Sequence, residues 1–583
     1  MRQQQEKTFV SHDGCKLFYR YWPAQDSPTN HSHAIVLFHR GHEHSGRVAH
    51  LADELDLPDH QIFAWDARGN GQSEGERGDA ENIATLVKDA NCFIEHITRE
   101  YSIAQKDIAV IAQSVGAVIA AAWAHDYVPN IRALVLGSPA FSVKLYVPLA
   151  VPGLKLLYNF KGNFFVNSYV KPKLLTHDKQ RAESFAQDPL ITRRISVRLL
   201  IDLYTVSDRI IEDANAITVP TQMLVSGSDY VVRRKPQKQF YQNLGTEQKE
   251  FHILPGFYHD TFGEKDRQLA IDRARRFILG CFANEPQPPC LINADRVGYT
   301  RLEADNLAMP VTGLIKPWYW KFIKANLKYA SKLSAGIKLG FDTGFDSGST
   351  LDYVYRNQPT GSSKLGQFFD YTYLQSIGWR GIRQRKIHLE ELLKLAINQL
   401  HQHNQSIDIV DIAAGHGRYI LETINQIAEK PNSVLLRDYS DINVRDGQKL
   451  ISEKGLTSLV RFEKGDAFSR QQLAELSTKP TLAVVSGLYE LFSDNKLLGD
   501  SLAGLADSIP DGGYLIYTNQ PWHPQLEFIA RALTSHRDGK PWIMRRRTQL
   551  EMDQLVANAG FEKITMRIDQ WGIFTVSLAQ RIK

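Results

Sequence analysis

Residues 107–117, DIAVIAQSVGA, place a serine between an apolar run and an alanine-rich segment. The apolar run is typical of a strand buried on both faces, and the alanines favour a helix. The small residues around Ser114 let the strand and helix backbones approach closely at a tight turn. On such a turn the serine hydroxyl projects above the sheet, so Ser114 is predicted to be a nucleophile, with the amide of Val115 beside it.

On both sides of this turn, β-rich runs alternate with helical segments over residues 1–283. Near-continuous apolar runs of this kind suit strands that helices cover on both faces. The pattern predicts an α/β domain with a mostly parallel, doubly wound sheet. The clearest strands are predicted at 33–39, 61–66, 107–113, 131–139 and 221–228.

Two further residues supply what a serine nucleophile needs, a base for its proton and a carboxylate that orients the base. Asp229 directly follows the apolar run 221–228, and His259 lies in a loop further along the chain. The order Ser, Asp, His is the order that the α/β-hydrolase fold uses. Ser114, Asp229 and His259 are therefore predicted to form a catalytic triad.

Residues 1–283 resemble the monoglyceride lipase and lysophospholipase branch of the α/β-hydrolases. The resemblance implies hydrolysis of lipid-like esters, with the amides of Gly41 and Val115 forming an oxyanion hole. Ala112 stands where the G-x-S-x-G turn of such enzymes has its first glycine. Three other motifs carry the resemblance: HRGHEHSGR (39–47) is similar to HGxGEHSGR, DARGNGQSEGERG (66–78) to DHRGHGxSxGxRG, and residues 174–196 to a lid-flanking segment.

Arg40 departs from that pattern, because the family has glycine after the first histidine. A charged side chain there would either restrict the pocket or bind an anionic head group, and the sequence leaves both open. An insertion over about 141–215 is rich in apolar and aromatic residues and is predicted to be a lid. Such a lid either supplies an acyl channel and excludes water, or packs only on its own domain.

A proline-rich stretch after Phe282, ANEPQPPCLINAD, predicts an extended connector between domains. We place the hydrolase domain at 1–283, a linker with an N-terminal extension at 284–380, and a second domain at 381–583. The aromatic residues of the middle segment cannot be assigned to either core from the sequence.

The second domain repeats the alternation of strands and helices, which predicts another doubly wound sheet. Its first strand ends in the turn D-x-A-x-G-x-G, residues 411–417. Gly415 and Gly417 let the backbone approach a ligand at the carboxyl ends of the strands. The turn lacks the G-x-G-x-x-G spacing of a dinucleotide site.

This turn resembles motif I of the class I S-adenosylmethionine-dependent methyltransferases, with Ala413 in place of the first glycine. Asp438 ends the next strand, at the position that binds the ribose hydroxyls in that family. The resemblance implies S-adenosylmethionine as the cofactor and residues 559–581 as the paired last strands. The implied cofactor-binding residues are Asp411, Ala413, Gly415, Gly417, Asp438, Asp466, Ala467 and Phe468.

Glu490 and His523 follow later strands of the same sheet. Loops at the carboxyl ends of parallel strands meet at one edge, so both side chains are expected near the crevice. They are candidates for positioning a methyl acceptor or for removing its proton.

Composition excludes several other classes of protein. The 583 residues are 43% hydrophobic and 23% charged with a net charge of +5, typical of a globular protein. Lys and Arg are scattered apart from residues 545–547, three arginines that we interpret as a solvated helix face, so no nucleic-acid partner is expected. The apolar stretch 108–123 is interrupted by Gln113 and Ser114, so no membrane span is predicted.

Histidines and cysteines are the candidate metal ligands. Neutral imidazoles bind zinc, but no cysteine or carboxylate cluster accompanies the histidines of the 39–50 loop, so no metal is predicted. The four cysteines are too few for a disulfide framework. The histidines in question are His39, His42, His44 and His50.

Together the two resemblances predict a bifunctional enzyme, a serine ester hydrolase joined to an S-adenosylmethionine-dependent methyltransferase. Two alternatives stay open. In the first alternative, one domain is an inactive binding or scaffold module that serves the other. In the second, the hydrolase domain is a peptidase or a C–C bond hydrolase. The methyl acceptor and the oligomeric state are not predicted. The expected location is the cytoplasm, with peripheral contact to the inner face of the membrane as a further alternative.

Overall fold

The computed structural model describes residues 2–25, 33–147, 149–168, 170–537 and 539–582. Contacts within the chain divide it into two compact units, Met1–Pro289 and Cys290–Lys583. The aromatic-rich segment that the sequence left unassigned therefore lies almost entirely within the second unit.

The first unit contains an eight-stranded sheet. Its strands are β1 (Gln5–Val10), β2 (Lys16–Trp22), β3 (His33–Phe38), β4 (His60–Trp65), β5 (Ile108–Gln113), β6 (Ala133–Gly137), β9 (Thr221–Ser226) and β10 (Lys249–Leu254); a separate short pair is β7 (Phe165–Asn167) and β8 (Arg194–Ser196). The order is β1-β2-β4-β3-β5-β6-β9-β10, and every pairing from β4 to β10 is parallel. Every residue of β5 and β9 is buried, as expected for central parallel strands.

Helices cover both faces of this sheet. They are α1 (Leu51–Glu54), α2 (Ile83–Glu100), α3 (Val115–Tyr127), α4 (Ala150–Lys161), α5 (Lys179–Gln187), α6 (Val197–Glu212), α7 (Arg234–Asn243) and α8 (Gln268–Ala283). Helix α3 is apolar around most of its circumference and is buried almost throughout, because α2 and α6 pack against it.

The predicted lid region forms β7, β8 and helices α4 to α6. None of the described residues of α4 is buried. Leu149 and Phe160 are 80% and 83% exposed. The lid thus presents apolar side chains to solvent.

The second unit contains a seven-stranded sheet. Its strands are β11 (Asp408–Asp411), β12 (Ser433–Asp438), β13 (Val460–Lys464), β14 (Leu482–Val485), β15 (Tyr514–Asn519), β16 (Phe561–Ile568) and β17 (Thr575–Arg581). The order is β13-β12-β11-β14-β15-β17-β16, and only β17 runs antiparallel to the other strands. The strand order reverses between β11 and β14, which is where such sheets bind ligands.

Twelve helices accompany this sheet in the described part of the unit. They are α9 (Tyr299–Ala308), α10 (Lys316–Ala330), α11 (Ala335–Thr343), α12 (Gly348–Arg356), α13 (Lys364–Leu374), α14 (Ile377–Gln402), α15 (Arg418–Gln426), α16 (Asp441–Glu453), α17 (Arg470–Ala474), α18 (Asn495–Ser508), α19 (Leu526–Ala532) and α20 (Gln549–Asn558). The long helix α14 buries Leu389, Leu393, Ala396 and Leu400 at helical spacing in the core beside β11.

These sheets confirm the predicted fold class: an α/β-hydrolase fold with a lid, followed by a Rossmann-like methyltransferase fold. No helix within the described ranges combines the length and apolar composition needed to cross a bilayer.

The interpretation of residues 545–547 as a solvated helix face is wrong. Arg545, Arg546 and Arg547 precede α20 outside any helix, and all three side chains are buried. Arg545 pairs with Glu551 at 2.5 Å, and Arg546 pairs with Glu303 at 2.6 Å. Buried guanidinium groups persist only when such partners compensate them.

Candidate active sites

Ser114 occupies a strained turn between β5 and α3. Its backbone has φ 56° and ψ −118°, a conformation that residues other than glycine rarely adopt. Gly116 is needed two residues later, since a Cβ there would collide with the carbonyl oxygen of His39. Strain of this kind persists where the surrounding structure holds the turn in place.

Ser114, His259 and Asp229 form a hydrogen-bonded chain. The Ser114 Oγ lies 2.8 Å from His259 Nε2, and His259 Nδ1 lies 2.8 Å from Asp229 Oδ2. The other Asp229 oxygen accepts hydrogen bonds from the amides of Val231 and Val232. With its Nδ1 proton donated to Asp229, the histidine turns an Nε2 lone pair towards the serine hydroxyl.

Asp229 is held as a carboxylate. Burial alone would raise its pKa, but the charge of His259, the hydrogen bond from it and the amides of Val231 and Val232 outweigh burial and lower the pKa. An ionised partner favours the histidine tautomer that can accept the serine proton.

Gly41 and Val115 lie side by side next to Ser114. A Cβ on Gly41 would stand 2.8 Å from a Val115 methyl carbon. His39 fixes the loop, because its Nε2 accepts a hydrogen bond from the Ala67 amide and its Nδ1 donates to the Arg40 carbonyl. The two predicted oxyanion residues are therefore brought together beside the serine.

The Arg40 side chain is committed to internal ion pairs. Its guanidinium contacts both carboxylate oxygens of Glu43, at 3.0 and 2.5 Å, and lies 3.3 Å from Asp260. Asp260 directly follows His259, and burial opposed by the charges of Arg181 and Arg40 leaves its pKa well below the usual range. Arg40 thus links the loop that carries Glu43 to the loop that carries His259.

One residue at the serine, His42, is not among the predicted catalytic or oxyanion residues. It stands at the second glycine of the HGxGEHSGR pattern, and its backbone has φ 70°. Burial lowers the pKa of His42 to about 4, so the ring is neutral. It lines a cavity of about 110 Å³ together with Ser114 and His259. The departure from glycine in that motif is the sequence signal that could have identified this position.

The remaining histidines of the loop have separate partners. His44 contacts Asp188 at 2.9 Å, and His50 donates to the carbonyl oxygen of Phe262. Within the described residues, the groups close enough to share a metal are His33, Asp59 and His60, and His12, Asp13 and Asp89.

Two carboxylates fasten the 411–417 turn of the second unit. Asp411 accepts hydrogen bonds from the Ala413 amide and the Tyr419 hydroxyl. Asp438, at the end of the adjacent strand, accepts from the Gly415 amide at 3.0 Å. Gly415 and Gly417 have φ 58° and 71°, so this turn depends on glycine.

Three of the implied cofactor-binding residues, Asp466, Ala467 and Phe468, follow β13. Asp466 is exposed and accepts a hydrogen bond from the Phe468 amide, while Ala467 is buried. The Phe468 ring lies 4.6 Å from the ring of Phe492.

Helix α12 covers the 411–417 turn. Asp352 forms hydrogen bonds with Arg418, and Gly348 lies against Gly415. The space left beside the turn is about 30 Å³, against roughly 300 Å³ or more for an ordinary ligand pocket. The carboxylates at the strand ends suit the hydroxyl groups of a ribose, and the backbone N–H groups of the turn suit a polar ligand. In this arrangement, however, the turn does not accommodate an adenosyl group unless α12 moves.

A much larger cavity of about 490 Å³ lies in the same unit. Most of its walls are apolar and come from the helices before β11 and from loops after β14 and β15. Gly487 and Gln520, which follow those two strands, line it. The cavity therefore adjoins the carboxyl edge of the sheet, on the β14 side of the reversal in strand order.

Several polar atoms of residues lining this cavity have no partner in the described part of the chain. They include the Arg385 Nε, the Glu490 Oε2 and the Trp542 Nε1. The other Glu490 oxygen accepts from the Thr518 hydroxyl at 2.6 Å and lies 3.6 Å from Arg385. Buried polar atoms are almost always satisfied, so these groups are available to a bound molecule.

His523 lines the cavity as a neutral ring. Burial lowers its pKa to about 4. Its Nδ1 accepts a hydrogen bond from the Gln525 amide at 3.0 Å, so the proton resides on Nε2, beside Gly378. In this tautomer the His523 Nε2 proton is available to a molecule in the cavity, which favours positioning over proton removal.

Arg547 supports the loop that carries Glu490. Its guanidinium donates to the carbonyl oxygens of Tyr489 and Phe492, each at 2.7 Å. Burial lowers the pKa of Arg547 to about 10. The buried arginine thus fixes the backbone on both sides of Glu490.

The folds and the two sites define a hydrolase unit joined to a methyltransferase unit in one chain. Residues 274–581 match the family described as "Putative methyltransferase", and residues 29–266 match the family described as "Serine aminopeptidase, S33". The chain belongs to the first of these families, and its N-terminal part matches the model of the second.

Individual proteins resemble all or half of the chain. "Uncharacterized protein YnbC" of Escherichia coli (strain K12) is 53% identical over 582 residues, covering 99% of this chain and 98% of that protein. "Monoglyceride lipase" of Homo sapiens is 28% identical over 260 residues, covering 43% of this chain and 82% of that protein. A monoglyceride lipase structure from Saccharomyces cerevisiae covers 48% of this chain and 96% of its own, at 20% identity and a TM-score of 0.43.

Replacing Arg40 by methionine leaves buried Glu43 without its bidentate partner. We expect Arg40→Met to lower the free energy of unfolding of the first unit by about 3 kcal/mol, measured by urea denaturation. Exposed Arg99→Met should cost less than about 1 kcal/mol. The double variant Arg40→Met/Glu43→Met should recover much of the loss. Equal effects of Arg40→Met and Arg99→Met would contradict the assigned role of the ion pair.

Burial raises the pKa of Asp411 to about 7 from 3.8 in the unfolded chain. The proton held in the folded state stabilises the second unit fully below about pH 4, and this contribution is lost as the pH rises to about 7. Asp411→Asn should remove a slope of up to about 1.4 kcal/mol per pH unit in that window. Unfolding at pH 5 and pH 8 measures it, with exposed Asp441→Asn as the control. An unchanged slope in Asp411→Asn would show that the group is ionised in the folded protein.

Proposed function

We propose that the first unit is a serine ester hydrolase. The observation that carries the proposal is the chain of two 2.8 Å contacts from Ser114 through His259 to Asp229. The Ser114 oxygen attacks the ester carbonyl carbon while His259 Nε2 takes the hydroxyl proton. The carbonyl oxygen becomes an oxyanion, which the amides of Gly41 and Val115 stabilise.

Collapse of this intermediate breaks the bond to the alcohol. The alcohol oxygen leaves with the proton from His259, and an acyl-enzyme ester remains on Ser114. A water molecule then attacks the acyl carbon and gives a proton to His259. His259 returns this proton to the Ser114 oxygen as the bond from that oxygen to the acyl carbon breaks, which releases the carboxylic acid and restores the serine hydroxyl. Asp229 stabilises the imidazolium at each stage without itself taking a proton.

The substrate we infer is an ester with an apolar acyl chain. The walls of the cavity at Ser114 include Leu145, Val166, Phe185 and Leu200, which come from the lid or its flanks. Such walls bury a hydrocarbon chain and exclude water from the acyl-enzyme. The likeness to proteins named monoglyceride lipase supports the same class of substrate.

Ser114→Ala should abolish labelling by a fluorophosphonate probe and lower esterase activity by at least about a thousandfold. The reason is that the acyl-enzyme cannot form without the serine oxygen. Ser207→Ala, another buried serine of this unit, should leave labelling unchanged. Acyl esters, lysophospholipids and aminoacyl amides tested in parallel would separate an esterase from a peptidase. Labelling that survives Ser114→Ala would refute the proposal.

We infer that the second unit is a methyltransferase whose acceptor has an apolar body and a polar head. S-adenosylmethionine is the donor that the motif resemblance and the family description favour. The apolar walls of the 490 Å³ cavity would hold the acceptor body and keep water out. Arg385, Glu490 and His523 would orient its head, and methyl transfer depends mainly on such alignment.

A second candidate function is a binding module that serves the hydrolase. The observation that favours it is the closure of the 411–417 turn by α12, which leaves about 30 Å³ there. In that case the cavity would still hold an apolar ligand, but no methyl group would be transferred.

Calorimetry with S-adenosylmethionine separates these two functions. We expect binding by the full chain and at least about tenfold weaker binding by Asp438→Asn, because one charged hydrogen-bond partner is lost. Asp441→Asn, three residues later and exposed, is the matched control. If the intact protein binds no S-adenosylmethionine, the methyltransferase proposal fails and the binding module remains.

A further inference from the structure

Helix α10 lies in a stretch of uniformly positive charge. Residues 306–341 contain no aspartate or glutamate. The lysines of this stretch are Lys316, Lys321, Lys324, Lys328, Lys332 and Lys338. In a chain whose overall charge is only +5, this segment alone contributes six positive charges.

The outer face of α10 is apolar and aromatic. Trp318, Phe322 and Tyr329 are 72%, 65% and 64% exposed. Their spacing of four and seven residues puts them on one side of the helix. Leu314 and Ile315, immediately before the helix, are more exposed still. Large apolar side chains grouped in this way on a surface mark an interaction site.

A stripe of lysines runs beside this face. Lys321, Lys324 and Lys328 are three and four residues apart, so they share a second side of the helix. The Lys321 ammonium lies 5.2 Å from the centre of the Trp318 ring. A basic stripe next to an exposed aromatic face is the pattern of helices that lie in a membrane interface.

The third side of α10 faces its own unit. Ile323 and Leu327 line the 490 Å³ cavity, and the Trp320 ring lies 6.5 Å from Phe528. This inner side of α10 is the one that packs the helix on its unit. Tyr329 of the outer face also lines the cavity, whereas Trp318, Phe322, Leu314 and Ile315 do not. Trp318 and Phe322 therefore stay exposed without a role in lining the cavity.

We propose that α10, with Leu314 and Ile315, docks the protein on an anionic lipid bilayer. The aromatic face enters the interfacial region, and the lysines contact acidic head groups. A second copy of the chain is the rival occupant, but a self-complementary contact would bring two lysine-rich faces together without any acidic residue of this stretch to neutralise them. Charge complementarity therefore favours an acidic lipid surface.

This placement also bears on the acceptor, and that step rests on the proposed function. The same helix that meets the bilayer forms one wall of the apolar cavity. A membrane-borne molecule with an apolar body would then reach the cavity without crossing water.

Co-sedimentation of the full chain with vesicles tests the proposal. We expect binding to phosphatidylcholine vesicles that contain about a third phosphatidylglycerol, and at least about tenfold weaker binding to phosphatidylcholine alone. Lys321→Glu/Lys324→Glu and Trp318→Ser/Phe322→Ser should each weaken binding to the anionic vesicles by at least about tenfold. All four positions are exposed, so the variants should fold, as circular dichroism would verify.

Matched controls are Lys449→Glu and Val10→Ser, which change an exposed lysine and an exposed apolar residue elsewhere. Leu156→Ser/Phe160→Ser measures any binding through the lid of the first unit separately. The proposal is overturned if the wild type does not bind anionic vesicles, or if the α10 variants bind like the controls. It is also overturned if Trp318→Ser/Phe322→Ser only converts a dimer to a monomer. Failure of S-adenosylmethionine binding would leave this result unaffected.

Discussion

Parallel strands end at one edge of a sheet, and both candidate sites of this protein depend on that constraint. In the first unit the edge brings a serine after β5 and an aspartate after β9 within reach of one histidine ring. In the second unit it brings the 411–417 turn, Asp438 and the loop of Glu490 to the same side. The central strands β5, β9, β14 and β15 are buried on both faces, so packing fixes their ends and positions the loops that follow them.

Buried charge stabilises the loops at both edges. Arg40 joins Glu43 to Asp260 in the first unit, and Arg547 holds the carbonyl groups around Glu490 in the second. A guanidinium group suits this task because its planar array of donors can contact two loops at once. A buried charge of this kind is tolerated only while all its partners are in place. Within each unit, the segments that the guanidinium group joins therefore depend on one another for their conformation.

The sequence predicted the local features of the fold and those that depend on chain order. A strand, a tight turn and a helix singled out Ser114, and the chain order Ser, Asp, His singled out Asp229 and His259, which follow β9 and β10. The sequence did not show which residues far apart along the chain contact one another. Three consecutive arginines look like a solvated charge cluster until Glu551, Glu303 and two carbonyl groups are seen around them. The large cavity could not be predicted either, because its walls come from helices of 290–380 folding onto loops about 150 residues later.

Leu351, on helix α12, lines both the narrow space beside the 411–417 turn and the large apolar cavity. One element therefore forms a boundary of two compartments. A molecule that moves α12 away from the turn also changes the shape of the large cavity. Conversely, a molecule that fills the cavity changes the free energy needed to move the helix. By thermodynamic reciprocity, any molecule that displaces α12 on binding in one compartment changes the affinity of the other compartment for its own ligand, and the effect is the same in both directions.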